Sequence, residues 1–268
     1  MKVPTRRVTQ SAPPALVALA VIGAVFFLVP VVGIVAQVPW RSLPEIFRSD
    51  IVANAVRLSL IASVGAVTAA TVIGLPLAWV LARVDFAFKP LVRGLVLLPM
   101  VLPPVVGGAA LLFGFGRRGI VGGPLYDATG FVLPFSVWGV IVASTFVAMP
   151  FLVITVEAAL RTVDRRYEGA ASTLGASPWT VLRRVTIPLV SPAVVSGLLL
   201  TWARALGEFG ATITFAGNLQ GRTQTLPLAV FVALETDRDA AVAISVLMMV
   251  ISLGVLVSLR DRWWGAHS

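Results

Sequence analysis

Residues 15–38 read ALVALAVIGAVFFLVPVVGIVAQV, with no charged side chain and a single amide, Gln37. About 20 such residues cross the hydrocarbon core of a bilayer as a helix. A secretory leader would carry a shorter apolar region, about 7–15 residues, ahead of a small-residue cleavage site. This run is longer, follows Lys2, Arg6 and Arg7, and passes into Pro39 and Trp40, so it is read as a retained first span. Working outward, the same test finds windows at 54–82, 91–113, 135–159, 189–206 and 240–259, each bounded by Pro, Gly or charged clusters. The expected fold class is an all-α polytopic membrane protein with six transmembrane helices. The chain as a whole agrees: 268 residues, 58% hydrophobic and 12% charged, with a mean hydropathy of +0.95, well above ordinary soluble domains.

The formal charge is +9, which in such a chain marks loops held at an anionic cytoplasmic leaflet. With both termini inside, Arg41, Arg48, Arg57, Arg117, Arg118, Arg222 and Arg238 fall outside. Arg204 falls within a span, and every other Lys and Arg lies inside. The positive-inside rule favours that orientation and a multi-pass protein of a prokaryotic cytoplasmic membrane. Cysteine is absent and the one histidine, His267, lies beside the last residue. Thiolate chemistry, a histidine metal site and a Ser-His hydrolase therefore have no residues in the apolar body. There is no G-x-S-x-G elbow and no phosphate-binding G-x-x-x-x-G-K-[ST] loop. No catalytic residue, metal or cofactor is expected, and no soluble basic domain offers itself to nucleic acid.

The third window holds Pro99, Pro103, Pro104, Gly107 and Gly108. Prolines this dense remove backbone donors and forbid a straight helix. The break is either a packing bend or a wet stretch beside a path. The longest inner connection, 161–188, has its own helical pattern. Tyr167, Ala170, Ala171 and Leu174 recur at i, i+3, i+4 and i+7. Gly175 suits a helix C-terminus, and Ser177 with Pro178 supplies an N-cap and first-turn proline for a second helix bearing Val181, Leu182 and Val185, which Pro188 is expected to end. Tethered between spans, this helix-turn-helix could not enter a DNA groove. It either covers the protein's own base or, with small residues amid arginines, docks another protein.

Residues 167–178, YEGAASTLGASP, continuing to Val185, Thr186, Ile187 and Pro188, resemble the EAA loop of ABC-importer permeases. That pattern is E-A-A, three residues, G, nine residues, then I-x-L-P. Gly175 and Pro188 fit its spacing. Gly169 stands at its glutamate, with Glu168 one position earlier, and Val185 and Ile187 are conservative changes. The resemblance implies a coupling loop seated in a cytoplasmic ATPase, formed here by Tyr167, Glu168, Gly169, Ala170, Ala171, Leu174, Gly175, Ala176, Ser177, Pro178 and Pro188. Residues 203–218, ARALGEFGATITFAGN, and 102–107, LPPVVG, resemble permeases for tetrahedral oxyanions, the molybdate branch in particular; sulfate and tungstate permeases share much of the 207–210 region. The likeness spans roughly 54–259. It implies a type I ABC-importer fold in a homodimer, two ATP-binding subunits, an extracytoplasmic oxyanion-binding protein and the lipid bilayer as partners. The chain is thus divided into a leading segment, 1–53, a transmembrane core, 54–259, and a cytoplasmic tail, 260–268.

Arg204 and Glu208, four apart, share a helical face. They are either a neutralised pair bracing the fifth span or members of an anion path with Glu208 as its gate. Pro103, Pro104, Phe209, Gly210 and Thr212 complete the candidate path. A proton-carrying Glu208 in a secondary transporter is the mechanistic rival. Against it stand the docking loop and the expectation that no other acid lies inside a span. Glu235, Asp237 and Asp239 read as a solvated outer cluster or as a contact for the binding protein.

Overall fold

The computed structural model describes residues 13–264, so Lys2, Arg6, Arg7 and His267 lie outside the described residues. All regular structure among the described residues is helical. Five helices are long and apolar enough to cross a membrane: Pro14–Ala36, Asp50–Arg83, Val137–Thr162, Pro178–Leu206 and Arg238–Val255. The remaining span, third in chain order, is split into Lys89–Val101 and Pro104–Phe115. Its break is set by sequence. Leu102 precedes a proline and is extended, as is Pro103, and two successive residues lack an N–H. The expected interruption of this span is therefore present, and it divides the helix in two.

Proline acts differently in the second and fifth spans. Each passes through one wide π-turn, Ala70–Gly74 and Leu182–Thr186, and in each a proline follows two residues later, Pro76 and Pro188. A proline ring clashes with the carbonyl four residues before it. That carbonyl belongs to Val72 in one helix and Arg184 in the other, both within the wide turn. Widening the turn accommodates the ring without ending the helix. Pro188 therefore does not terminate the loop's second helix as its position suggested; Pro178 onward runs without interruption into the fifth span.

The fourth span, Val137–Thr162, is the centre of the bundle and packs against the second and fifth. Leu81, Leu152, Val153, Val156 and Val190 form its buried contact near its C-terminal end. The first span buries no residue and touches the sixth. A helix apolar all round and unpacked is suited to lipid. Five short helices complete the description: Leu43–Arg48, Gly122–Thr129, Arg165–Thr173, Gly210–Phe215 and Leu226–Thr236.

Candidate coupling loop and anion path

The loop between the fourth and fifth spans begins with the helix Arg165–Thr173. Asp164 caps it by accepting from the Arg166 N–H at 2.9 Å. Its end is closed by Gly175, in the left-handed region at φ 83°. Gly175 N–H donates to Ser172 O (3.0 Å) and Ala176 N–H to Ala171 O (3.1 Å), the paired bonds that finish a helix through a left-handed residue. Ser177 Oγ then accepts from Thr180 N–H at 3.3 Å, opening the next helix behind Pro178. The Arg165–Thr173 helix buries none of its residues. Leu174 is 89% exposed, Trp179 70% and Tyr167 61%, while nothing lies within 4 Å of a Cβ built on Gly169 or Gly175. Tyr167 and Leu174 lie outside the spans, where exposed large apolar side chains make a candidate contact surface; Trp179 stands in the first turn of the helix that becomes the fifth span.

Glu168 points the other way. Its Oε1 accepts from Arg83 Nη2 at 2.9 Å and from Thr186 Oγ1 at 2.8 Å. Glu168, one position before the Gly169 that stands at the pattern's glutamate, thus makes its ion pair within this chain. Nearby, the exposed Asp85 receives Lys89 Nζ at 3.0 Å. That bond and charge, with a smaller attraction from Arg165, hold the Asp85 carboxyl below its ordinary range.

At the far end of the fifth span Arg204 Nη1 meets Glu208 Oε2 at 2.7 Å, and the Glu208 side chain is only 1% exposed. Glu208 Oε1 accepts from the Ala211 N–H at 2.8 Å, so one carboxylate both neutralises Arg204 and secures the start of Gly210–Phe215. That short helix lies against Pro104–Phe115 with almost no gap. A Cβ on Gly210 would come 2.5 Å from Pro104 Cβ, and one on Gly108 would come 2.6 Å from Thr214 Cβ. Pro103 and Pro104 remain exposed on the other side. The Phe209 ring lies 5.3 Å from that of Phe231. Thr212 is fully buried.

The fold thus brings Pro104 to Gly210 and Arg204 to Glu208. It sets Phe209 apart, on Phe231. Thr201 was missed, although it sits three and seven residues before Arg204 and Glu208 on the same helical stripe; its Oγ1 and that of Thr212 are buried without a hydrogen-bond partner. Glu157 was missed too, and it corrects the expectation that Glu208 is the only acid within a span. Buried in the fourth span, Glu157 receives Arg93 Nε (3.1 Å) and Nη2 (2.5 Å) and Arg161 Nη2 (2.9 Å). Its i, i+4 spacing to Arg161, inside an apolar window, was the available signal. Among Glu235, Asp237 and Asp239, Asp237 caps the sixth span by accepting from Ala240 N–H at 3.0 Å.

The family model described as "Binding-protein-dependent transport system inner membrane component" matches residues 70–264. The molybdenum transport system permease protein ModB of Mycobacterium tuberculosis is 46% identical over 243 residues, covering 91% of this chain and 92% of that one. The sulfate transport system permease protein CysT of Escherichia coli is 36% identical over 228 residues, with 84% and 81% covered. A chain of the bacterial alginate ABC transporter, solved in complex with an alginate pentasaccharide-bound periplasmic protein, superposes with a TM-score of 0.75. It is 18% identical and is covered to 92%, against 91% of this chain, a likeness of fold alone.

Proposed function

This chain belongs to the family of binding-protein-dependent transport system inner membrane components, and from that premise we propose that it is the permease subunit of an ATP-driven importer of molybdate. The observation that carries the cargo is the 46% identity to a ModB permease over nearly the full length of both chains. Two copies form the path about a two-fold axis. A soluble binding protein delivers the oxyanion outside, and two cytoplasmic ATPase subunits supply the energy. Both termini lie in the cytoplasm, in keeping with the distribution of Lys and Arg.

The ATPase docks on Tyr167, Gly169, Ala170, Ala171, Leu174, Gly175, Ala176, Ser177 and Pro178, a reading supported by the exposure of Leu174 and Tyr167 on a helix that buries nothing. Glu168 and Pro188 belong to the same loop and connect it to the spans. ATP-driven closure of the two ATPases moves the paired loops and shifts the helices between inward and outward states. Such a shift requires that the partners bind the two states unequally. The anion passes Pro103, Pro104 and the 204–212 segment. Arg204, released from Glu208, supplies transient positive charge there, and the free hydroxyls of Thr201 and Thr212 supply donors. A permanently tight site would impede release, so the contact is weak.

The test is uptake of labelled molybdate into cells lacking their own system, with this chain supplied alongside its ATPase and binding protein. Saturable, ATP-dependent uptake that persists in excess sulfate is expected. The likeness to CysT supports a second reading: uptake abolished by sulfate moves the cargo to sulfate or thiosulfate, and preference for tungstate moves it there. Uptake driven by a proton gradient without the ATPase would overturn the importer.

A further inference from the structure

The helix Arg165–Thr173 has no apolar anchor in the bundle, yet a docking helix must be mechanically joined to the spans it moves. Among the described residues, the side-chain hydrogen bonds that join it to the second and fifth spans meet on a single oxygen. Glu168 Oε1 takes a bond from Arg83, the last residue of the second span, and another from Thr186, the last residue of the π-turn that leads into the fifth. Arg83 and Thr186 lie 85 and 18 residues away along the chain, so three elements meet there. Arg83 is 8% exposed, Glu168 21% and Thr186 2%. This burial excludes most water and strengthens charge-assisted bonds relative to a surface pair.

We propose that Glu168 is a positioning residue that ties the coupling helix to the second and fifth spans, with Arg83 and Thr186 as its two anchors, so that displacement of the loop becomes displacement of both spans. The inference rests on the reading of the loop as an ATPase dock. Besides this node the loop has its covalent ends, at Val163 and through Gly175, backbone proximity to the turn that follows it and the attraction of Arg165 to the solvated Asp85, none of which ties it to the second span through a buried bond. The node also explains the place of Thr186. At the last position of a wide turn its hydroxyl is directed to a carboxylate instead of back to its own helix, so a change in that turn is felt at Glu168. The π-turn and the coupling helix then move as one unit.

The test uses the whole transporter, this chain with its ATPase and binding protein, reconstituted in vesicles, and reads molybdate moved per ATP hydrolysed. Thr186→Val keeps the side-chain shape and removes the donor; Arg83→Gln removes the charge. Thr186→Val is expected to leave the amount of bound ATPase unchanged and to lower molybdate per ATP about tenfold, the scale of one charge-assisted bond. Thr186→Ser should restore it. Arg83→Gln should do the same as Thr186→Val, and the double variant should add little, since both act through one oxygen. An unchanged ratio in Thr186→Val, or failure of Thr186→Ser to rescue, overturns the proposal. Should Arg83→Gln not assemble, the Thr186 pair decides alone. Leu174→Arg separates the two readings: full retention of the ATPase by that variant refutes the dock, whereas loss of the ATPase there with an unchanged ratio in Thr186→Val refutes the clamp only.

Discussion

The coupling loop and the junction between the third span and Gly210–Phe215 are both written in small residues, and they use them in opposite ways. In the loop, Gly169 and Gly175 face open space, with no atom of this chain near a Cβ at either. At the junction, Gly108 and Gly210 are pressed against Thr214 and Pro104 at distances that admit no further atom. One region is left unpacked by its own chain and the other is packed to the limit. Gly175 in the first serves backbone conformation, and Gly108 and Gly210 in the second serve helix approach. Between membrane helices, where lipid competes on equal terms with apolar side chains, close approach is a principal source of attraction.

Substitution at the junction should therefore have the largest effect. Gly210→Leu must displace the backbone of Pro104 or unseat the short helix. Overpacking of this kind costs about 1–3 kcal/mol where neighbours can yield, and here the neighbour is a proline ring. The expected result is a loss of folded, monodisperse protein in detergent, with Tm lowered by several degrees in what survives. A Gly210→Leu protein of normal Tm would remove the contrast between the two regions. Gly169→Ala, with nothing near its Cβ, is the control and should leave Tm unchanged.

Leu174→Arg should leave folding intact and remove the partner. Leu174 contributes almost nothing to packing at 89% exposure, whereas an apolar anchor at the centre of an interface is worth about 2 kcal/mol or more. Binding of the purified ATPase should weaken at least about thirtyfold, with Tm as in the parent chain. A fall in Tm without weakened binding would make the loop part of this chain's own base and erase the distinction.

The Arg204–Glu208 pair lies beside the packed junction but is itself half open, with Glu208 enclosed and Arg204 29% exposed. Glu208→Gln keeps an acceptor for the Ala211 N–H and leaves Arg204 uncompensated. Breaking a fully buried pair costs about 3–5 kcal/mol; access of water to Arg204 reduces this to about 1 kcal/mol. Molybdate uptake is expected to change by at least threefold, with a shifted dependence on anion concentration. Unchanged uptake at every anion concentration, together with a lowered Tm, would return the pair to a purely bracing role.

How much of this was legible in the sequence followed the range of each interaction. The spans, the interruption at Leu102 and Pro103, and the cap sequence of Gly175, Ser177 and Pro178 depend on neighbours in the chain, and each could be read locally. The Arg204–Glu208 pair is one helical turn and was legible for the same reason. Pro188 was misread because its cost depends on whether the preceding turn can widen, which its own identity does not state. The bonds of Arg83 to Glu168, Thr186 to Glu168 and Arg93 to Glu157 join residues from different helices. No spacing rule encodes them. Glu157 was overlooked because one acid near the end of an apolar window reads as the window's edge until a cation from another span is seen to cover it.

The smallest expected effect lies at the same end of the bundle as Arg83. Asp85 lies two residues from Arg83, yet it is fully solvated and its partner Lys89 is on the adjoining turn, whereas Arg83 is enclosed and reaches a different element. Lys89 lowers the Asp85 carboxyl below its ordinary value. A depressed carboxyl contributes stability that is fully present above its unfolded value, about 3.9, and that is lost only as pH falls through the lower folded value. Across pH 6–8 the contribution is constant, and exposure and salt keep it small. Asp85→Asn should accordingly leave uptake and molybdate per ATP unchanged and lower Tm only slightly and by a constant amount over that range, and this small difference should disappear below about pH 4, where the parent chain loses what the variant never had. If Asp85→Asn instead lowered molybdate per ATP as far as Arg83→Gln does, this end of the bundle would act through its summed charge, and the distinction between an enclosed bond that carries motion and a solvated one that does not would fail.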